Sequence, residues 1–180
     1  MKRQITEQIE LPSGVSCEIG DKVLKFKKGS VELEKKTDVP GLVTSLKDNK
    51  LVLECKKGNK NDFKIIKSYI AHIKNIFSGL EKEHVYKLES CNVHFPVTLK
   101  VEGNKFVITN FLGEKTPRFA KIPQGVKVEV KGQKITVSSH NKDLAGQTAA
   151  NLEKATKIRS RDRRIFQDGI FLVERPAGAK

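Results

Sequence analysis

Four short turn signals, each between two alternating apolar segments, constrain the fold of this chain more than any other feature. The dipeptides Gly20-Asp21, Asp48-Asn49, Gly103-Asn104 and Gly132-Gln133 each separate segments in which apolar residues recur at every second position. Glycine and asparagine readily adopt the positive φ of tight hairpin turns. Alternation is the period of a half-buried strand. The pattern therefore predicts four β-hairpins.

The spacing of these turns indicates an internal duplication. Within each half of the chain the two turns lie 28 or 29 residues apart, and a helical segment follows the second turn. The halves are therefore related by an offset of about 82 residues. An offset of 111, which matches residues 11–18 with residues 122–129, would place a helix where strands and turns continue, and we reject it. We predict an α+β fold with two tandem duplicated domains, each a small antiparallel sheet with one helix packed on it. The predicted boundaries are residues 1–81, residues 82–175 and a tail at residues 176–180.

The first predicted helix has a broad apolar stripe, which predicts that its function is packing. Asp62 is a candidate cap and Gly79 a stop signal. Apolar residues recur at spacings of three and four: Ile65, Ile66, Tyr69, Ile70, Ile73, Ile76, Phe77 and Leu80.

The second predicted helix, at residues 142–157, has only a thin apolar stripe, formed by Leu144, Ala145, Thr148, Ala149, Leu152 and Ala155. Its opposite arc holds Gly146, Gln147, Ala150, Asn151, Lys154 and Lys157. Gly146 and Ala150 lie one turn apart, so a partner could approach a nearly bare backbone and receive hydrogen bonds from the polar side chains beside it. The alternative, that small residues simply fill an exposed face, stays open for this arc alone.

Arginine is concentrated directly after this second helix. Five of the seven Arg fall between Arg159 and Arg175, and residues 154–164 carry six basic side chains against one acid, Asp162. Arginine pairs bidentately with phosphate, whereas lysine acts as a point charge. In an extended segment the arginines would point in two directions, with Asp162 orienting or pairing one set. A strand is predicted at residues 170–173, so the arginines are anchored between a helix and a strand, which favours a shaped site for a polyanion.

Composition indicates the same class of partner. A net charge of +14 on 180 residues favours nucleic acid or an anionic surface. Apolar runs fall short of the roughly 18 residues that a spanning helix needs, and residues 1–12 lack the apolar core of a secretory signal. Cys17, Cys55 and Cys91 form no CxxC pair, as is typical of a reducing compartment, and the first two continue apolar strand patterns. We expect a soluble cytoplasmic protein with no membrane partner.

Two further basic segments are weaker candidates. The connection at residues 110–121 contains Lys115, Arg118 and Lys121 beside an apolar Phe111-Leu112 pair. A role in binding and a role as an ordinary exposed basic loop are equally well supported for this connection. The turn around Lys56 is better explained by solubility. The chain has nine Phe, two Tyr and no Trp, without an aromatic signature for single-stranded RNA. We therefore expect recognition of the shape and backbone of structured RNA.

Catalytic motifs are missing from the sequence. His72, His84, His94 and His140 show no metal-binding spacing, and no nucleophile elbow, phosphate-binding loop or dinucleotide fingerprint occurs. Carboxylates two residues apart, such as Glu81 and Glu83, are usually exposed charges. We expect no enzyme, no metal site and no cofactor.

Several segments resemble the large-subunit ribosomal protein L-six family, in its archaeal and eukaryotic branch. They are HFP at residues 94–96, NFLGEK at residues 110–115, NKDLAGQTAANLEKATK at residues 141–157 and RDRRIFQDGI at residues 161–170, within a hairpin–hairpin–helix order repeated twice. The resemblance covers essentially the whole chain. The bacterial pattern differs, because a tail rich in proline, lysine and glycine replaces RDRRIFQDGI.

The resemblance implies two copies of a sheet-plus-helix domain bound to large-subunit ribosomal RNA, with neighbouring ribosomal proteins and translation factors nearby. The second domain would make the main RNA contact. His140 and Ser160 stand where glycine and asparagine are expected, and both are left out of the predicted site. The predicted RNA-binding residues are Gly146, Gln147, Asn151, Lys154, Lys157, Arg159, Arg161, Arg163, Arg164, Lys115 and Arg118. The alternative is a free-standing module that binds structured RNA or duplex DNA outside the ribosome.

Overall fold

The computed structural model describes residues 3–20, 23–37, 41–47, 49–93, 95–162 and 164–176, and the side chains of all of these except Arg3 and Lys47. Contacts divide the chain between Lys82 and Glu83 into two compact units, called unit 1 and unit 2 below. Residues 177–180 of the predicted tail at residues 176–180, and the turn residues Asp21 and Asp48, lie outside the described residues.

Unit 1 consists of strands followed by one long helix. Its elements are β1 (Arg3–Glu10), β2 (Ser16–Ile19), β3 (Val23–Lys28), β4 (Val31–Lys36), β5 (Leu42–Lys47), β6 (Lys50–Gly58) and α1 (Lys60–Glu81). The strands form two antiparallel three-stranded sheets, in the orders β1-β6-β5 and β2-β3-β4.

Unit 2 repeats this order and adds one strand. Its elements are β7 (His84–Cys91), β8 (Thr98–Glu102), β9 (Lys105–Thr109), a 3-10 turn (Phe111–Gly113), β10 (Arg118–Lys121), β11 (Lys127–Lys131), β12 (Lys134–Ser139), α2 (Lys142–Ala155) and β13 (Gly169–Glu174). One antiparallel sheet has the order β10-β9-β8, and the other has the order β11-β12-β7-β13.

The two units correspond element by element. The sheet β1-β6-β5 has the same order as β7-β12-β11, and β2-β3-β4 the same order as β8-β9-β10. Helices α1 and α2 begin at Lys60 and Lys142, which gives an offset of 82. The predicted α+β fold with a duplicated sheet-plus-helix arrangement is confirmed, with the refinement that each unit divides its strands between two sheets. Among the described strands, β13 alone has no counterpart in unit 1.

Helix α1 forms because a complete capping box starts it and a continuous apolar face follows. The Asn59 side chain accepts hydrogen bonds from the backbone N–H groups of Asn61 (2.7 Å) and Asp62 (3.0 Å), and the Asp62 carboxylate accepts one from the Asn59 backbone N–H (2.7 Å). Such reciprocal bonds satisfy donors that the first helical turn leaves open. The prediction that Asp62 is the cap was wrong, because Asp62 occupies the third helical position and Asn59 is the cap.

The packed face of α1 follows the predicted stripe with two differences. Buried side chains recur from Ile66 to Leu80, and the Phe77 ring meets the Phe26 ring of β3 edge-on at 5.4 Å. Ile65 is 44% exposed, because it lies beside the stripe and not on it. Gly79 does not stop the helix, which continues to Glu81. A single helical glycine costs only about 1 kcal/mol, which packing readily overrides.

The cysteines behave as small apolar strand residues, as predicted for Cys17 and Cys55. Cys17 is half-buried in β2, Cys55 is buried in β6, and Cys91 is exposed at the end of β7. Burial raises the pKa of the Cys17 thiol. Among the described residues, none of the helices combines the length and apolar character needed to cross a bilayer.

We predict that Asn59→Ala lowers the free energy of unfolding by about 1 kcal/mol, the usual cost of losing a helix N-cap. Urea denaturation followed by circular dichroism measures the change. Asn61→Ala is the matched control, because Asn61 lies in the same turn and donates to Asn59 through its backbone N–H, which the substitution leaves in place. Equal losses in the two variants would show that the capping box does not stabilise α1.

Candidate nucleic-acid interface

Helix α2 is seated by small residues and leaves a polar surface. Asn141 caps its start by accepting hydrogen bonds from the backbone N–H groups of Asp143 (3.0 Å) and Leu144 (3.4 Å). The buried residues are Ala145, Thr148, Ala149 and Leu152, in agreement with the predicted thin stripe. The helix ends at Ala155, two residues before the predicted end, and Thr156 is its C-cap. The residues after Thr156 are therefore free of helical geometry and form their own segment.

Gly146 is explained by a contact within unit 2. A β-carbon at this position would lie 3.0 Å from the hydroxyl oxygen of Tyr86 on β7, so glycine allows the tyrosine to approach the helix backbone. Gly146 is only partly exposed. The interpretation of residues 146 and 150 as a bare backbone arc therefore holds for the exposed Ala150 but not for Gly146.

Gln147 and Asn151 form a chain of amide hydrogen bonds that joins α2 to β10. Gln147 Nε2 donates to Asn151 Oδ1 at 2.9 Å, and Asn151 Nδ2 donates to the backbone oxygen of Lys121 at 3.0 Å. Asn151 is thus held in one orientation and fixes the distance between the helix and the strand. The exposed Gln147 lies at the outer end of this chain.

Arg118 has a structural role that its sequence context did not reveal. Its Nε donates to Glu114 Oε2 at 2.8 Å, and a second bond joins Nη2 to Glu114 Oε1. Its Nη1 donates to the backbone oxygens of Ala155 (3.0 Å) and Lys157 (3.4 Å). The guanidinium also lies over the Phe111 ring, at 4.5 Å from its centre. Arg118 therefore caps the C-terminus of α2, where backbone oxygens lack helical partners, and its donors are directed inward.

The Arg118–Glu114 pair also sets the charge state of the carboxylate. Hydrogen bonding from Arg118 lowers the pKa of Glu114, and the charge of Arg161 contributes in the same direction. The side chains of Arg118 and Glu114 are 27% and 37% exposed, so solvent screens the pair in part. Glu114 stays ionised and is neutralised by its partner, which limits its repulsion of an anion nearby.

The arginine-rich segment after α2 bends around Asp162. The backbone oxygen of Asp162 accepts from the N–H groups of Ile165 (3.2 Å) and Phe166 (2.9 Å). Its carboxylate pairs with Arg164 at 2.8 Å, which lowers the pKa of Asp162. The prediction that Asp162 pairs with a neighbouring arginine is confirmed. The guanidinium of Arg161 lies over the Phe166 ring at 4.7 Å. The two hydrogen bonds to the Asp162 backbone oxygen bring Ile165 and Phe166 back toward Asp162, so the described part of this segment is bent and not extended.

Both ends of this segment are anchored, as predicted. At one end, the hydroxyl of the buried Thr156 accepts a hydrogen bond from the backbone N–H of Ile170 at 2.9 Å. Next to it, the Glu153 carboxylate accepts from the N–H of Leu172 at 2.9 Å. Strand β13 then pairs with β7. The chain between these anchors, described at residues 157–162 and 164–168, is therefore held at both ends and is called the arginine loop below.

These elements border an open cavity with a volume of about 770 Å³, which is called the basic cleft below. Its lining residues are Leu112, Glu114, Arg118, Phe119, Ala120, Lys121, Asn151, Lys154, Ala155, Lys157, Ile158, Arg159 and Arg161. Five basic side chains besides Arg118 line the cleft. Among the described lining residues the one acidic side chain is Glu114, which forms a salt bridge with Arg118. Unit 2 thus presents a concentrated positive potential inside a concave site, where field lines are focused.

The cleft brings together most, but not all, of the predicted site residues. Asn151, Lys154, Lys157, Arg159 and Arg161 line it, together with Arg118. The remaining predicted residues do not line the cleft: Gly146, Gln147, Lys115 and Arg164. Arg163 lies outside the described residues.

Lys121 and Phe119 are two lining residues that the predicted site lacked. Both lie on β10 with exposed side chains, while Ala120 between them is buried. The alternation from Arg118 to Lys121 could have indicated that these two side chains share one exposed face.

We predict that Arg118→Ala lowers the free energy of unfolding by about 1–3 kcal/mol, because charge-assisted hydrogen bonds to Glu114 and to the helix end are lost. Urea denaturation measures the change. Arg159→Ala is the matched control, since Arg159 is an exposed arginine in the same cleft, and we expect a change within about 0.5 kcal/mol. A similar loss in the control would contradict the capping role of Arg118.

We also predict that Glu114→Gln reduces the acid dependence of stability. Because the folded-state pKa of Glu114 is lowered from its usual 4.5, its stabilisation is complete above pH 4.5 and is lost as the pH falls through the lowered value. The stability gap between wild type and Glu114→Gln should narrow below pH 4.5, as followed by thermal denaturation across pH. The exposed Glu102 provides the control Glu102→Gln. A gap that stays constant with pH would overturn the assignment.

Comparison with known proteins identifies the family. The family model described as Ribosomal protein L6 matches residues 95–169, which contain most of unit 2. The large ribosomal subunit protein uL6 of Methanococcus vannielii is 42% identical over 171 residues, covering 95% of this chain and 94% of that protein. The protein of the same name from Methanosarcina mazei is 39% identical over 175 residues, covering 97% and 99%. The chain therefore belongs to the ribosomal protein L6 family, as its sequence motifs indicated.

Proposed function

We propose that this protein is a non-catalytic component of the large ribosomal subunit that binds large-subunit ribosomal RNA through the basic cleft and the adjoining arginine loop. Unit 2, corresponding to the predicted domain at residues 82–175, is the main RNA-binding domain, and unit 1 corresponds to the domain at residues 1–81. The observation that carries the proposal is the convergence of Lys121, Lys154, Lys157, Arg159 and Arg161 on one concave surface.

The chemistry of the cleft fits a phosphate backbone. Neutralising phosphates with lysine and arginine releases condensed counterions, which drives binding. Arg159 and Arg161 can engage phosphate oxygens bidentately, whereas Lys154 and Lys157 contribute charge. Outside the cleft lining, Gln147 contributes a polar contact, Lys115 contributes charge, Arg164 contributes a guanidinium paired with Asp162, and Gly146 lets the helix pack close to β7. The predicted Arg163 continues the basic run in sequence.

The scaffold around the cleft supports recognition of a folded RNA over a loosely held polyanion. Arg118 and Asn151 connect the end of α2 with β10 and with the turn before it. Thr156 and β13 hold the far end of the arginine loop. The cations are therefore carried on fixed backbone, which favours one arrangement of phosphates. In this proposal the protein acts in the cytoplasm on the ribosome, beside other ribosomal proteins and close to the docking region of translation factors.

The first test compares two triple variants that remove the same charge. Lys157→Gln/Arg159→Gln/Arg161→Gln alters the cleft, and Lys56→Gln/Lys57→Gln/Lys60→Gln alters exposed lysines of unit 1. Binding to transcribed large-subunit ribosomal RNA is measured across salt concentrations. We expect the cleft variant to reduce the log–log salt slope by about 2–3, at roughly 0.7–0.9 per lost phosphate contact. The unit 1 variant should leave the slope nearly unchanged. Equal effects would indicate diffuse attraction and contradict the proposal.

A second experiment separates a ribosomal component from a free-standing nucleic-acid module. The native protein is sedimented from cell extract before and after RNase treatment, and its bound RNA is sequenced. Co-sedimentation with large subunits, lost on RNase treatment and enriched for one region of large-subunit RNA, supports the proposal. Free sedimentation with a mixture of DNA and RNA would favour the module.

A further inference from the structure

An aromatic ring lies among the cations of the basic cleft. Phe119 on β10 pairs in register with Val107 of β9, and its side chain is 56% exposed while it lines the cleft. One exposed phenylalanine is ordinary on a protein surface. The Phe119 ring shares its concave surface with three cations, Lys121, Lys154 and Arg159.

The shape of the cleft selects the part of an RNA that could reach the ring. A volume of about 770 Å³ lies in the range of pockets that hold small ligands. The stacked bases of a continuous duplex are covered by their neighbours, so only a base that has left the stack can meet an aromatic face. The cleft therefore fits a bulged or looped-out nucleotide better than a paired segment.

The walls of the cleft are held apart by contacts that do not involve the ring. Asn151 joins α2 to the backbone of Lys121, and Arg118 joins the end of α2 to Glu114. The pairing of Glu114 with Arg118 leaves the other lining cations to attract phosphate. On β10, Phe119 follows Arg118 and precedes Lys121, and both of these residues are hydrogen-bonded to other elements. The backbone that carries Phe119 is therefore held in place without a ligand.

We infer that the basic cleft receives one unstacked nucleotide of the bound RNA, with its base against the Phe119 ring and its flanking phosphates on Lys121, Lys154 and Arg159. The inference rests on the proposed RNA-binding function and specifies the RNA feature that unit 2 recognises. It differs from the expectation, drawn from the sequence, that binding uses backbone shape without base stacking. The base need not be of one type, because every base offers a stacking face.

The test uses two RNA hairpins with identical stems, one fully paired and one carrying a single bulged 2-aminopurine nucleotide. The full-length protein should bind the bulged hairpin about tenfold more tightly, within the range expected of one base–aromatic stack. The fluorescence of the 2-aminopurine should fall on binding as the base stacks. Phe119→Ala should reduce the preference to near one, and Phe119→Tyr should keep it.

Phe63→Ala is the matched control, since Phe63 is 43% exposed on α1, also has a cation, Lys67, over its ring, and does not line the basic cleft. This variant should keep the preference and the fluorescence change. Equal binding of both hairpins by the wild type, or an unchanged preference in Phe119→Ala, would overturn the inference while leaving the proposed function intact. Failure of the wild type to bind intact large-subunit ribosomal RNA would instead overturn the proposed function itself.

Discussion

The guanidinium of Arg118 is the interaction on which the basic cleft depends. It connects the carboxylate of Glu114, the ring of Phe111 and the backbone oxygens at the end of α2. Each contact alone is a modest contribution in a partly exposed site. Together they fix where the helix stops and where Lys157 begins the arginine loop. A basic residue thus organises the surface on which other basic residues are displayed, and it neutralises the one acid that lines that surface.

The repeat and the helices could be predicted because their signals are local. Turn residues and alternating apolar positions lie within a few residues of one another, and the α1 stripe follows the helical period. The errors arose where two local signals competed. Asp62 and Asn59 both resemble caps, and only the position of the first turn decides between them. The division of each unit into two sheets depends on pairings between distant strands, which alternation alone does not specify.

The sequence could predict which residue types make up the candidate site, but not which of them have a structural role and which are available to bind. The arginine loop was recognised from its density of charge, and its anchoring followed from the strand after it. Arg118 could not be separated from the other cations, because Ala155 and Lys157 lie 37 and 39 residues further along the chain. Gly146 was similarly ambiguous, since Tyr86, which explains it, lies on β7. Charge indicates that a surface binds an anion, whereas only tertiary contacts show which cations hold the surface together.

The extra strand of unit 2, β13, is synthesised after the arginine loop that it holds in place. Unit 1 contains all its paired strands by residue 82, whereas β7 acquires its partner β13 only after residues 157–168 have been synthesised. Domains generally fold as they emerge, the first one first. The arginines therefore precede the strand that holds them, and the loop closes only once Ile170 is available to Thr156. Closure then coincides with completion of the sheet, so an interrupted chain would carry the charge of the site without its shape.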